Sequence, residues 1–223
     1  MRSSDFLKML LRGFRPDARV RHAQGCFASP SACHVARPMV PAVGFHLLTS
    51  PPPGALPGTP PQPLWPGGAR QRGARFTPQH GFDCLYLASD PITALTEVVA
   101  VFQPTQGPLV MLKTSPWVVV TMDGVLHDIV DLTNAGVQRE LGTSIQELTG
   151  DWSYTQSTIG LAETQRLGEA GYASQDILGF KYPSAKNTGN GYAIVIFAGR
   201  LVAGRPSFVE IFDPHHNLSQ RLP

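Results

Sequence analysis

A stretch of eighteen residues, Pro51 to Gly68, limits what the chain can fold into more than any other feature, because twelve of them are proline or glycine. Proline lacks the amide donor that helices and central strands need, and glycine weakens both structures. The segment is therefore expected to be neither helix nor central strand. We interpret it as a linker or as a long loop, and long loops in compact domains often border a functional cleft.

The two sides of this segment differ in charge and periodicity. Residues 1–75 hold ten Lys and Arg against two Asp and Glu, and residues 16–44 show no sustained helical or strand period. We interpret residues 1–44 as an irregular basic arm and residues 45–223 as the folded domain, since 42% hydrophobic content supplies one sizeable core. The basic part suits an anionic ligand or partner, or the acidic remainder of the same chain.

Two classes of protein are excluded by the pattern of apolar residues and cysteines. No apolar run reaches the roughly 18 residues that a transmembrane helix needs, so a membrane protein is not expected. The three cysteines, Cys26, Cys33 and Cys84, are an odd number without C-x-x-C spacing. They predict neither a disulfide framework nor a zinc site, and no metal is expected. The sparse cysteines indicate a reducing compartment, and we expect a cytoplasmic location.

The part of the chain after residue 75 consists of short apolar runs separated by turn residues. Ser89-Asp90-Pro91 predicts a helix start, with Asp90 as the N-cap and proline in the first turn. Many short strands with few helices, and no strict β-α alternation, favour a mixed α+β fold on a twisted or split sheet. Strands are predicted at 45–49, 83–88, 108–114, 116–121, 127–132, 174–180, 192–198 and 207–212, and helices at 91–102, 143–149 and 158–170.

Glu97 is the one ionisable residue in the predicted helix 91–102. On a helical wheel the apolar stripe through Ile92, Leu95 and Phe102 lies roughly opposite Glu97, which therefore faces a second surface. A buried carboxylate needs a cation, hydrogen-bond donors or the polar wall of a cleft. The alternative is a solvated glutamate on an outer face.

Arg75, Tyr86 and Glu97 follow one another at intervals of eleven residues, along a predicted turn, strand and helix. This spacing can bring the three side chains to one rim, although a strand tyrosine is also commonly a packed ring. Ser184 follows Pro183 at the exit of a predicted strand, where a hydroxyl and successive backbone amides can face an anion. An ordinary turn explains Pro-Ser equally well.

Three segments together resemble one protein family. They are Gly-Ala-Arg-Phe-Thr-Pro at 73–78, Leu-Tyr-Leu-Ala-Ser at 85–89 followed by Ala-Leu-Thr-Glu at 94–97, and Tyr-Pro-Ser-Ala-Lys at 182–186. In this order and spacing they resemble the RES-domain family, the toxins of bacterial toxin–antitoxin pairs, named for an arginine, a glutamate and a serine. The likeness extends from about Phe45 to Phe212.

The resemblance implies a fold similar to that of ADP-ribosyltransferases and an enzyme that degrades NAD⁺. In the family a glutamate, a serine, a tyrosine and an arginine line the NAD cleft, and matching motifs place these at Glu97, Ser184, Tyr86 and Arg75. The family's first arginine follows an aromatic residue on an early strand. Its nearest counterpart here is His46, after Phe45, with Arg70 or Arg72 as alternatives.

The reaction implied is cleavage of the nicotinamide–ribose bond by an NAD⁺ glycohydrolase. Glu97 would stabilise the positive charge that grows on the ribose, Arg75 would bind the pyrophosphate, Tyr86 would stack on a ring and Ser184 would donate a hydrogen bond. NAD⁺ is then a substrate and no cofactor is expected, in line with the absence of G-x-G-x-x-G after a strand.

Two other functions use the same residues. The chain could instead transfer ADP-ribose to a protein or to phosphate, or be an inactive NAD-fold module whose basic arm binds a partner. The partners implied are NAD⁺, a helix-turn-helix antitoxin of the Xre type and, as an option, a second copy of the chain in a homo-oligomer. No direct contact with nucleic acid or membrane is expected.

Overall fold

The computed structural model describes residues 42–45, 64–98, 101–102, 110–111, 119–189, 191–212 and 219–223. Most of the predicted basic arm, His46, and the Pro/Gly-rich segment up to residue 63 lie outside these ranges. None of the helices in the described ranges combines the length and apolar character needed to span a bilayer.

Ten strands and six α-helices make up the described part of the chain. The strands are β1 Ala42–Phe45, β2 Cys84–Ala88, β3 Val101–Phe102, β4 Val110–Met111, β5 Val119–Val125, β6 Ile129–Asp131, β7 Gly179–Pro183, β8 Tyr192–Phe197, β9 Phe208–Ile211 and β10 Arg221–Leu222. The helices are α1 Gly67–Arg72, α2 Pro91–Glu97, α3 Ala135–Glu140, α4 Ile145–Thr149, α5 Trp152–Thr158 and α6 Glu163–Ser174.

Eight of the strands form one sheet in the order β10-β9-β5-β1-β2-β8-β7-β6, and β3 and β4 form a separate pair. All neighbours in the large sheet are antiparallel except β6 and β7, which run parallel. Such a mixed sheet with helices confirms the predicted α+β fold. Strand β1 lies between β2 and β5, so residues 42–44, assigned by the sequence to the arm, belong to the sheet.

The sheet has a hydrophobic core on each face. Strand β2 shows this directly, because Cys84 and Tyr86 pack in one core while Leu85 and Leu87 pack in the other. This is the alternation expected of a strand, and it places Tyr86 on the face opposite Leu85 and Leu87. Leu148 of α4 and Leu167 of α6 pack in the core on the Tyr86 face.

Several predicted boundaries are wrong, each for a local physical reason. Helix α2 ends at Glu97 instead of continuing to residue 102, because the β-branched residues that follow favour extended structure, and 101–102 pairs with 110–111. The strand predicted at 174–180 starts only at Gly179, since helix α6 continues to Ser174. Gly67 and Gly68, the end of the Pro/Gly-rich segment, form the first turn of α1.

Candidate active site

A cavity of about 250 Å³ lies where the turn before β2, the end of α2 and strands β2, β7 and β8 meet. Three of the predicted site residues, Arg75, Tyr86 and Glu97, line it. Ser184 contacts Glu97 directly, and His46 lies outside the described residues. The other lining residues are Ala74, Leu87, Ala88, Ala94, Val98, Trp152, Tyr182 and Ala193.

Glu97 is the last residue of helix α2, which begins as predicted. The Asp90 carboxylate accepts a hydrogen bond from the Thr93 amide at 2.9 Å and caps the helix. The helix does not bury the apolar stripe that the wheel suggested, because Ile92 is 41% exposed while Thr93 and Thr96 are buried. The helix is too short for that stripe to form, and its small polar residues face inward beside Glu97.

The turn after β7 binds the Glu97 carboxylate. Ser184 donates from Oγ to Oε1 of Glu97 at 2.5 Å, and the amide of Ala185 donates to the same oxygen at 2.9 Å. The amides of Lys186 and Asn187 donate to the Ser184 hydroxyl at 3.2 and 2.9 Å. The first two of the successive donors predicted to face an anion thus hold Glu97 itself, and the next two hold Ser184. Both bonds reach Oε1, and Oε2 has no hydrogen-bond partner among the described residues.

Tyr86 is held by the turn that precedes its strand. Its hydroxyl accepts a hydrogen bond from the Phe76 amide at 3.0 Å and lies 3.0 Å from Oγ1 of Thr77. Burial, more than the nearby Cys84 and Tyr182, raises the pKa of Tyr86 well above its ordinary value. The phenol is therefore neutral at physiological pH, and its ring is presented to the cavity in one orientation.

Arg75 is buried, with 7% exposure, and two of its contacts are with the backbone. Nη1 donates to the carbonyls of Leu148 and Gly150 at 2.9 and 2.8 Å, at the end of helix α4. Carbonyls at a helix C-terminus lack intrahelical donors, so a guanidinium satisfies them. Arg75 therefore joins the turn before β2 to the segment leading to Trp152, and brings positive charge to the cavity wall.

Arg70 and Arg72, the two alternatives to His46 as the counterpart of the family's first arginine, lie away from the cavity. Arg70 forms an ion pair with Asp83 at 3.1 Å, and the carbonyl of Arg72 accepts a hydrogen bond from Gln156. Neither residue lines the cavity within the described part of the chain. The described ranges also hold no group of three or more His, Cys, Asp or Glu able to bind a metal ion.

Comparison with known protein families decides the family. A model described as "RES domain" matches residues 55–217, a range that includes Arg75, Tyr86, Glu97 and Ser184 and excludes His46. The chain belongs to the RES-domain family. The resemblance recognised in the sequence is thereby confirmed.

Comparison with solved structures also gives matches for this RES domain. A chain in the crystal structure of the M. tuberculosis MbcT–MbcA toxin–antitoxin complex is 20% identical, with a TM-score of 0.49 over 74% of this chain and 80% of that one. Comparison with curated proteins gives no match.

Two aromatic residues of the RES-domain cavity were missed as site residues in the sequence. Tyr182 is 4% exposed and packs edge-on against Phe76, with ring centroids 4.7 Å apart. Burial and the neighbouring Glu97 raise the pKa of Tyr182, partly offset by Arg75. Trp152 forms part of another wall. The sequence held a signal for Tyr182, because it opens the segment at 182–186 that also contains Ser184.

A second cavity, of about 350 Å³, borders the other side of the Ser184 turn. Lys181 lines it, as its neighbour Tyr182 lines the first cavity, because successive strand residues point to opposite faces. The Lys181 ammonium lies 3.1 Å from Oδ2 of Asp131, so its charge is paired. The other lining residues are Thr133, Ile145, Thr149, Pro183, Ser184, Thr188, Gly189, Gly191 and Tyr192.

The buried groups beside the site predict loss of stability at alkaline pH. Burial raises the pKa of Tyr86 and Tyr182 above the usual range and that of Cys84 to about 12. In the unfolded chain the pKa is about 8.5 for the thiol of Cys and about 10 for the phenol of Tyr. The contribution of these three groups to the free energy of unfolding should thus be constant below pH of about 8, and the free energy should fall as pH rises from about 9.

Urea unfolding at a series of pH values from neutral to strongly alkaline measures this effect. Replacing Cys84 by Ala should remove the first part of the fall, since the thiol has the lowest pKa of these three groups in the unfolded chain. An unfolding midpoint that stays the same up to strongly alkaline pH would contradict the assignment of buried, neutral phenols.

Proposed function

We propose that this RES-domain protein cleaves the bond between nicotinamide and ribose in NAD⁺. The observation that carries the proposal is the fixed position of Glu97 at the wall of an aromatic cavity, with Oε1 held by Ser184 and Ala185. A carboxylate held by two donors keeps its orientation without moving during the reaction, which is the arrangement that stabilises a developing positive charge most strongly.

The composition of the cavity suits the nicotinamide end of the dinucleotide. Tyr86, Tyr182 and Trp152 supply flat aromatic surfaces on which a nicotinamide ring can stack. At about 250 Å³ the cavity is smaller than the roughly 300–1,000 Å³ of most ligand pockets. We therefore assign nicotinamide and its ribose to the cavity, and the rest of NAD⁺ extends beyond it.

The proposed reaction needs no acid for the leaving group. When the bond between ribose C1′ and the pyridinium nitrogen breaks, the bonding electron pair neutralises that nitrogen, and nicotinamide leaves as a neutral molecule. The ribose becomes oxocarbenium-like, and Oε2 of Glu97 stabilises its charge. The oxygen of water then bonds to C1′, and the proton it loses passes to Glu97 and from there to solvent.

The other residues orient the reactants. Tyr86 and Tyr182 stay neutral because burial raises the pKa of both. Glu97 is therefore the negative group beside the ribose cation and the group that accepts the proton of water. Ser184 holds the carboxylate, a role different from the ligand contact inferred in the sequence. Arg75 fixes the wall that leads to Trp152 through Nη1. Its other nitrogens have no hydrogen-bond partner among the described residues and can bind an anionic part of the substrate.

A nicotinamide-release assay on the purified full chain tests the function. We expect NAD⁺ to be converted to nicotinamide with multiple turnovers, and mass spectrometry of the other product to show free ADP-ribose. If the product is instead an ADP-ribosylated protein or phosphorylated ADP-ribose, the reaction is transfer of ADP-ribose to that acceptor and not hydrolysis. Absence of turnover by folded protein would reject the proposal in favour of a binding module.

Depletion of NAD⁺ would make the chain toxic to the cell that produces it. We therefore include a toxin role, restrained by an antitoxin that covers the cavity, in the proposal. Support comes from membership of the RES-domain family, whose members are toxins of toxin–antitoxin pairs. The cavity would be the surface to block, because its aromatic wall and Glu97 must be open to NAD⁺.

A further inference from the structure

Gln165 of helix α6 is a fully buried polar side chain close to the active site, with 0% exposure. Its amide nitrogen donates to the carbonyls of Ala74 and Thr77, at 3.1 and 3.4 Å, and to Oε1 of Gln156 at 2.6 Å. Its oxygen accepts the Ala162 amide at 3.1 Å. Every polar atom of the side chain is thus used.

The two backbone carbonyls that Gln165 binds belong to the turn that carries Arg75. Ala74 and Thr77 also bond to each other, by amide-to-carbonyl contacts of 2.7 and 3.1 Å, and close the turn. Arg75 lies within it and lines the cavity. The same turn presents the Phe76 amide and the Thr77 hydroxyl to Tyr86. Gln165 therefore binds the backbone of the turn that positions two cavity residues, Arg75 and Tyr86.

Gln156 connects this arrangement to a third wall of the cavity. It lies on helix α5, which begins at the cavity residue Trp152. Its oxygen accepts from Gln165, and its nitrogen donates to the Arg72 carbonyl at 3.3 Å. The pair of glutamines thus ties helix α5 to both ends of the segment 72–74.

We propose that Gln165 is a positioning residue of the active site, acting through the turn 74–77 on Arg75 and Tyr86. The expected loss of catalytic rate rests on the proposed function. The expected loosening of the turn 74–77 does not depend on it. Gln165 touches no cavity surface in the described part of the chain. Its effect on catalysis is therefore through the orientation of other groups, to which rates are very sensitive.

Replacement of Gln165 by Met tests the role, because Met has a similar volume and offers no hydrogen bonds. The control is Gln138→Met, since Gln138 is also buried, at 9% exposure, and donates to one carbonyl, that of Leu132, away from the cavity. We expect Gln165→Met to lower kcat/KM for NAD⁺ by about 10- to 100-fold, mostly through kcat. Gln138→Met should change it by less than about threefold, measured at equal folded fractions.

Amide hydrogen exchange in the same samples gives a readout that does not need activity. Protection of Phe76 and Thr77 should fall in Gln165→Met and stay unchanged in Gln138→Met. If Gln165→Met does not fold, Gln156→Met removes one of the same bonds and should show the same two changes in weaker form. Wild-type protection of Phe76 and Thr77 in a folded variant, or wild-type kcat beside an active parent, would overturn the inference. An inactive wild type would instead reject the proposed function.

Discussion

Replacing Glu97 by Gln should reduce the rate of nicotinamide release by about 10²- to 10³-fold, the loss typical when one electrostatic stabiliser is removed from an enzyme. The amide oxygen of Gln can take the place of Oε1 and accept from Ser184 and Ala185, so the turn after β7 keeps its partner. The NH₂ group then replaces Oε2 and carries no negative charge to the ribose. The variant thus removes the charge and leaves the geometry.

The measurement is kcat and KM for NAD⁺, together with the thermal unfolding midpoint. Most of the loss should fall on kcat, because the stacking surfaces that bind nicotinamide are unchanged. Glu163→Gln is the matched control, since Glu163 lies at the exposed start of α6 and pairs with Arg166. Full activity of the Glu97 variant would remove the catalytic role of this carboxylate.

The same pair of variants tests the toxin role in a bacterium. Wild-type chain and Glu163→Gln should lower cellular NAD⁺ and stop growth after induction, whereas Glu97→Gln should do neither at equal protein level. Growth arrest by all three would separate toxicity from NAD⁺ cleavage. The enzymatic proposal and the toxin proposal can therefore fail independently.

Local signals in the sequence were sufficient to predict the start of helix α2 and the strand β2, which carry Glu97 and Tyr86. Asp90 and Pro91 start helix α2 where predicted, because a cap and a proline act within one turn. The alternation of side chains along β2 is also a local property, and it separates Tyr86 from Leu85 and Leu87. In both cases the determining contacts lie a few residues apart.

Contacts between distant residues could not be read in this way. Glu97 and Ser184 are 87 residues apart, and no spacing rule brings a helix end to that turn. The helix wheel, extended past Glu97, predicted an apolar stripe opposite Glu97, whereas the helix ends at Glu97 and buries Thr93 and Thr96. The role of Gln165 was not predicted, because its partners Ala74 and Thr77 lie 91 and 88 residues away and contribute only backbone atoms.

Replacing Gly168 by Ala should destabilise the protein strongly, although alanine is the better helix former by about 1 kcal/mol. Gly168 lies in the middle of α6, and a Cβ atom there would be 1.8 Å from the carbonyl oxygen of Phe76 and 2.7 Å from its carbon. Both are backbone atoms, so no side chain can rotate away. Helix α6 must move from the turn 74–77, and the steric term outweighs the helix propensity.

Overpacking of this kind costs about 3 kcal/mol, which for a chain of this size lowers the unfolding midpoint by roughly 6–12 °C. The control is Gly199→Ala, because among the described residues a Cβ at the exposed Gly199 would meet only the Tyr172 hydroxyl, at 3.9 Å. It should change stability by less than about 0.5 kcal/mol. Since α6 supports the turn that carries Arg75, the folded fraction of Gly168→Ala should also turn over NAD⁺ more slowly than Gly199→Ala. Equal stability and equal kcat for the two variants would mean that α6 does not pack closely against the backbone of this turn.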